Sequence, residues 1–242
     1  MAYYIGIDAG LEFLAITVLD DTSEKACVLI RGTAAIKKML KAEGGAEVLD
    51  SAARSRRLAF IYDEAIEVIA PFAESSEDVF VGIENHAFDA FPNPRLNELM
   101  GVMRLLVHRV TDKPLVEVST TSLKVYAAGS AKDKGKSGIR LGIYKCLGRD
   151  FDSIAGVEDI ADSYVVALIV RADRCFVGGT AVAVKPSEYY DMPLSERWRS
   201  PHIMPDYQYK ALEGLHKPKK KGGKKGVRRV RIEDQLAELE EA

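Results

Sequence analysis

Apolar residues fall into short dense runs at the start of the chain and into helical spacing further on. AYYIGID (2–8) reads as a strand that ends on a carboxylate. FLAITVLDD (13–21) and KACVLIRG (25–32) read as the next two strands. Short turns at Gly10 and DDTSEK join them into an antiparallel meander. Over 46–73, Leu49, Ala53, Leu58, Ile61, Ala65, Val68 and Ile69 recur at helical spacing, with Pro71 near the end. EDVFVGIEN (77–85) is almost wholly apolar, as expected for the buried centre of a sheet. After a loop with Pro92 and Pro94, residues 95–110 read as an apolar helix. Pro114 then starts a strand, LVEVS (115–119), and Ser119, Thr120 and Thr121 are caps for a short helix through about Ala128. Two more helices are expected at 137–147 and 157–172, the second very apolar.

This order predicts an α/β domain over residues 1–174, a mixed sheet with helices on its faces. Residues 175–216 carry Tyr189, Tyr190, Trp198, Tyr207 and Tyr209 among several prolines, and read as an ordered extension packed on that domain. No internal repeat is apparent.

Composition narrows the class. The 242 residues are 47% hydrophobic and 29% charged, ordinary for a globular protein. No apolar run approaches the ~20 residues that span a bilayer, and MAYYIGIDAG has no basic n-region or signal-peptide pattern. Cys27, Cys146 and Cys175 are far apart and form no CxxC, which fits a reducing cytoplasm without a disulfide framework or zinc site. The net charge of −2 hides an asymmetry: residues 217–231 hold nine Lys or Arg and no acid, and residues 233–242 hold five acids and no base. Residues 1–216 carry 25 basic and 31 acidic side chains, a net of −6. An acidic body therefore bears a Gly-rich basic arm and an acidic end, and 217–242 reads as a flexible tail. Lys219, Lys220, Lys221, Lys224, Lys225, Arg228 and Arg229 suit a phosphate backbone; the alternative is a solubilising or targeting tail.

Four acids have informative positions. Strand side chains alternate, so Tyr4, Gly6 and Asp8 share a face, as do Phe80, Gly82 and Glu84. Asp8 and Glu84 both stand at the carboxyl ends of their strands. If those strands are parallel neighbours, the two acids meet at the edge where open α/β sheets bind ligands. Asp159 and Asp162 lie three apart near the start of a helix whose next turns, YVVALIV, suit burial on the sheet. Carboxylates gathered so closely repel one another unless cations neutralise them. Oxygen ligands favour Mg²⁺ or Mn²⁺ over Zn²⁺, and two such ions can activate water and stabilise the leaving oxygen in phosphodiester cleavage. Glu12, Glu117, Asp152 and Glu158 lack this placement and read as surface residues, with Glu158 able to substitute for a neighbour.

IGIDAG (5–10), VGIEN (81–85), the basic loop in LKVYAAGSAKDK and EDIADSYVVALIV (158–170) together resemble the RuvC-type Holliday junction resolvases. That family has the retroviral-integrase/RNase H-like fold, and the resemblance covers residues 1–174. It implies a homodimeric endonuclease that cuts four-way DNA junctions, with two Mg²⁺ ions, replaceable by Mn²⁺, at Asp8, Glu84, Asp159 and Asp162. It also implies an aromatic residue after the Glu84 strand that enters the junction centre, Phe88 or Phe91, and a dimer helix within 94–110. Lys124, Lys132, Lys134 and Lys136 are its expected DNA contacts, with Lys134 or Lys136 as the catalytic lysine. There are departures: Ala9 replaces the usual proline of the first turn, the segment before the Glu84 strand is longer, and 175–242 has no counterpart. They suggest a divergent member, from a prokaryote or its phage.

Rival readings fit less well. Actin-like kinases and Hsp70-type ATPases also open with a GIDxG turn, but here it continues Leu11-Glu12-Phe13, and an acid there repels phosphate. AAGSAKDKGKSGI (127–139) ends like a P-loop, but five residues separate Gly129 from Gly135 where that motif has four, and a helix is expected before it. A non-catalytic DNA-binding protein would not need four such carboxylates. Other RNase H-like nucleases, acting on forks, flaps or RNA–DNA hybrids, share the site geometry and stay open.

Overall fold

The computed structural model describes residues 2–10, 13–31, 51–75, 78–85, 94–130, 136–151 and 157–217. Strands β1 (Tyr3–Ala9), β2 (Phe13–Asp20) and β3 (Glu24–Arg31) form the expected antiparallel meander. Asp20 builds the second turn. Its Oδ1 accepts from the backbone N–H groups of Thr22 and Ser23 and from Thr22 Oγ1 at 2.7–2.8 Å, and its Oδ2 pairs with Lys25 Nζ at 2.8 Å.

After α1 (Ser51–Ser75), β4 (Val79–Asn85) runs parallel to the other side of β1. Helix α2 (Pro94–Thr111) leads to β5 (Val116–Ser119), parallel to β4. The result is a mixed five-stranded sheet of order β3-β2-β1-β4-β5. With both faces of its centre covered, β4 has no need of polar alternation, which explains the run VFVGI.

Helices α1 and α2 cover one face. Ile5, Ile7, Val81 and Ile83 meet Ile61, Ala65 and Ile69 of α1 and Leu99 and Met103 of α2. Helix α1 passes Pro71 instead of stopping there. Pro71 is exposed, and the next residues, Phe72 and Ala73, continue to pack on this core.

The opposite face belongs to α3 (Thr120–Ala128), α4 (Lys136–Leu147) and α5 (Val157–Val177). Helix α5 lies directly on the sheet because two glycines, Gly6 and Gly82, are register partners beneath it. A Cβ on Gly6 would collide with the backbone carbonyl oxygen of Ser163 and the backbone nitrogen of Ala167; one on Gly82 would collide with Val166 and Val170. A buried hydrogen bond between Thr17 Oγ1 and Ser163 Oγ, 2.8 Å, ties the same turn of α5 to β2.

Helix α5 runs on to Val177, beyond the expected end at 172 and across the expected domain boundary at 174. Two polar residues near this end, Arg171 and Asp173, are buried with partners. Arg171 Nη2 donates to the carbonyl oxygens of Asp21 (2.8 Å) and Trp198 (2.6 Å), and Asp173 Oδ1 pairs with His216 Nε2 at 2.5 Å. Beyond it come β6 (Val182–Val184), α6 (Pro186–Asp191), α7 (Leu194–Arg199), β7 (Ile203–Pro205) and α8 (Asp206–His216), with β6 and β7 paired in parallel. Met204, Ala211 and Leu212 from this segment join the core of Leu123, Tyr126, Ile143 and Val165. Among the described residues no helix is long and apolar enough to cross a membrane. The expected tail beyond residue 217 lies outside the described residues.

Candidate metal centre

Strand register places the first two carboxylates. Ile7 lies opposite Ile83 in the parallel pair, so Asp8 and Glu84, one residue on, stand side by side at the carboxyl edge of the sheet. Both belong to the face that α5 covers, and α5 begins at this edge. The close seating of α5 on Gly6 and Gly82 then brings in Asp162, the neighbour of Ser163. Carboxylate oxygens of Asp8, Glu84 and Asp162 lie within 4.8 Å of one another. The three residues are only 2%, 3% and 9% exposed.

Asp159 is not one of these three. It sits half-buried in the first turn of α5, one turn before Asp162.

Glu84 is held from the β5–α3 junction. Ser119 caps α3, its Oγ accepting from the Ser122 N–H at 3.1 Å. That fixes Thr120, the first residue of α3, whose Oγ1 donates to Glu84 Oε1 at 2.7 Å. Next to it, Asn85 Nδ2 donates to Glu117 Oε2 (2.6 Å), and Arg104 Nε donates to Glu117 Oε1 (2.8 Å).

Three buried carboxylates at this separation repel one another, and a divalent cation between them removes the repulsion. The donors are all hard oxygens, which fits Mg²⁺ or Mn²⁺ and does not favour Zn²⁺.

The other expected site residues are distributed as follows. Lys124 is half-buried on α3, and Lys136 opens α4. Phe88, Phe91, Lys132 and Lys134 lie outside the described residues, as do Lys219, Lys220, Lys221, Lys224, Lys225, Arg228 and Arg229. Glu117 and Glu158 are exposed, as surface residues should be, while Glu12 and Asp152 are also outside the described residues. The segment before the P-loop-like stretch is helix α3, ended by Gly129 at φ 78°. It lacks the strand that a P-loop follows.

Thr120, Ser163, Thr17 and the glycine pair help position the cluster and are not among the expected site residues. A signal for the glycines exists: Tyr4-x-Gly6-x-Asp8 and Phe80-x-Gly82-x-Glu84 repeat one spacing in two strands. Thr120 was legible only as a cap.

No protein-family model matches the chain, and no curated protein is similar to it in sequence. In structure it is similar to RuvC of Thermus thermophilus, with a TM-score of 0.52 at 16% identity, covering 73% of this chain and 96% of that one. It is also similar to T. thermophilus RuvC in complex with Holliday junction substrate, with a TM-score of 0.52 at 17% identity, covering 74% of this chain and 97% of that one. The fold is RuvC-like, of the RNase H-like type.

Proposed function

We propose that this protein is a Mg²⁺-dependent, structure-selective endonuclease that resolves four-way DNA junctions by paired, symmetric nicks. The observation that carries this reading is the convergence of Asp8, Glu84 and Asp162 at the carboxyl edge of a RuvC-like sheet. The likeness to a RuvC structure in complex with Holliday junction substrate supports branched DNA as the substrate class.

In this reading Asp8, Glu84 and Asp162 hold the divalent ions, and Asp159, one turn earlier on α5, completes the set. Mg²⁺, with Mn²⁺ able to replace it and two ions per site, supplies charge neutralisation, water activation and stabilisation of the departing 3′ oxygen. Thr120 keeps the Glu84 carboxylate in one orientation by occupying Oε1. Lys124, Lys132, Lys134 and Lys136 bind backbone phosphates beside the site, and Lys134 or Lys136 offsets charge that develops at the scissile phosphate. Phe88 or Phe91 enters the junction centre. The 217–231 arm adds sequence-independent, salt-sensitive affinity.

Symmetric nicks require two sites related by a two-fold axis, hence a homodimer. Helix α2 supports this assignment: its outward side carries Gly101, with open space where a Cβ would stand, and Leu105, 48% exposed. The protein works in the cytoplasm, associated with DNA.

The test is a matched panel of four-way, fork, flap, duplex and RNA–DNA substrates incubated with Mg²⁺. Paired nicks confined to the four-way junction are expected. Preference for forks, flaps or hybrids would move the protein to another RNase H-like nuclease activity. Binding without any cutting would make it a non-catalytic DNA-binding protein.

A further inference from the structure

We infer that residues 178–216 are a brace that fixes the helix pair α3–α4, and with it the lysines that meet DNA, and that Arg197 and Tyr207 are its positioning residues. This rests on the nuclease reading above. The two RuvC structures are matched almost in full by about three-quarters of this chain. The contacts of residues 178–216 with α3 and α4 say what the segment does.

The connection between α3 and α4 is gripped close to its start. Helix α3 ends at Gly129 in the left-handed conformation, φ 78°. The ring of Tyr207, from α8, lies over that bare backbone, 3.5 Å from where a Cβ would stand. Any side chain at 129 would be strained by the backbone conformation.

The far end of α4 is gripped as well. A helix leaves its last carbonyls without intrahelical partners. Arg197, from α7, reaches two of them: Nη1 donates to the carbonyl oxygens of Lys145 (2.7 Å) and Cys146 (3.2 Å). The same guanidinium donates to the carbonyl oxygens of Met192 (2.8 Å) and Tyr190 (2.6 Å) in its own segment. A cation at a helix C-terminus is also favoured by the helix dipole. Arg197 lies over the rings of Tyr189 and Tyr190, at 5.5 and 5.7 Å, which orients the guanidinium for all four carbonyls.

A half-buried polar chain joins the two grips. Tyr190 and Tyr207 share a hydrogen bond between their hydroxyls, 2.7 Å. Both hydroxyls reach Cys146 Sγ of α4, at 3.9 and 3.6 Å, and Gln208 Nε2 donates to the same sulfur at 3.6 Å. Within the pair, α4 crosses α3 with Gly142 directly on the Ala127 carbonyl. Helices α3 and α4 and the brace therefore form one packed unit, and Lys124 and Lys136 are carried on its two helices. Phosphate contacts demand such rigidity, since a displacement of ~1 Å can cost on the order of a hundredfold in rate.

The experiment uses the full chain, a four-way junction and Mg²⁺, comparing wild type with Tyr207→Ala, Tyr207→Phe and Arg197→Met. Tyr207→Ala and Arg197→Met should each raise the junction Kd about tenfold and lower the slope of log K against log salt by about one, the signature of a lost phosphate contact. Calorimetric Mn²⁺ binding should not change, and Tyr207→Phe, which keeps the ring over Gly129, should restore junction affinity to within about twofold. A general loss of folded protein would move metal binding and junction binding together. If Tyr207→Ala or Arg197→Met fails to fold, Arg197→Lys decides, because it keeps the charge but cannot fork across four carbonyls. Folded variants with wild-type junction affinity and salt slope overturn the inference. Wild type that cuts no junction overturns the nuclease reading instead, a result read separately in the same assay.

Discussion

Replacing Gly6 by alanine tests whether the glycine pair under α5 assembles the carboxylate site. The added Cβ would sit inside contact distance of the Ser163 carbonyl oxygen and the Ala167 nitrogen, and at 3.0 Å from Ala167 Cα. All three are backbone atoms, so no rotamer change relieves the clash, and α5 must retreat by about an ångström. Overpacking of this kind costs roughly 1–3 kcal/mol, and a backbone obstacle argues for the upper end. For a chain of this length that lowers Tm by roughly 5–10 °C. Asp162 travels with α5 and opens the 4.8 Å cluster, so Mn²⁺ affinity should fall and junction cleavage should drop by on the order of a hundredfold. Thermal melting, Mn²⁺ calorimetry and a cleavage time course read the three effects. Gly214→Ala is the control: it lies in α8 with nothing within 4 Å of an added Cβ, and should stabilise by about 0.5–1 kcal/mol through helix propensity alone. A Gly6→Ala protein with wild-type Tm and Mn²⁺ affinity would refute the seating of α5.

Thr120→Val removes the donor to Glu84 Oε1 while keeping the shape; a hydrogen bond to a charged group contributes roughly 1.5–3 kcal/mol, so half-maximal cleavage should need about tenfold more Mg²⁺, and Thr120→Ser should recover most of that. Burial alone would raise the Asp20 carboxyl, but the Lys25 ammonium and the Thr22 and Ser23 hydrogen bonds outweigh it and bring it from 3.8 down to about 2. Because the folded value is depressed, its stabilisation, about 2 kcal/mol, is present above pH ~4 and is lost as pH falls from about 4 to about 2. In urea titrations the stability gap between wild type and Asp20→Asn should therefore close over that window, and a gap independent of pH would contradict the assignment. Truncation after Lys217 keeps the His216–Asp173 pair and removes the basic arm; junction binding should weaken with a shallower salt slope, and an unchanged slope would mean the arm is not a DNA contact.

The sheet and its helices were legible because their periods are unambiguous. The period-two alternation of β1 and β4 put Asp8 and Glu84 on one face, and the register of the parallel pair put them at one level. Sequence places Asp159 and Asp162 together at the start of one helix; that Asp162 lies within 4.8 Å of Asp8 and Glu84 follows from the depth at which α5 sits on Gly6 and Gly82. That depth is set by which residues pair across strands, information that no local pattern holds. Helix α5 runs past the expected end at 172 because the polar residues near that end find buried partners. Arg171 and Asp173 are buried because partners arrive from Asp21, Trp198 and His216, all distant in sequence. The segment beyond α5 resisted reading for the same reason: its short elements are held by Arg197 and tyrosine contacts rather than by an apolar stripe.

The carboxylate site is tested most directly by cleavage of a four-way junction by wild type and by Asp8→Asn, side by side, with junction binding measured on the same preparations. Asp8 is 2% exposed within the carboxylate cluster, and the change to asparagine keeps its shape while removing one negative charge. Wild type should give Mg²⁺-dependent paired nicks, and Asp8→Asn no detectable cutting with junction binding retained. Undiminished cutting by Asp8→Asn would contradict the site assignment.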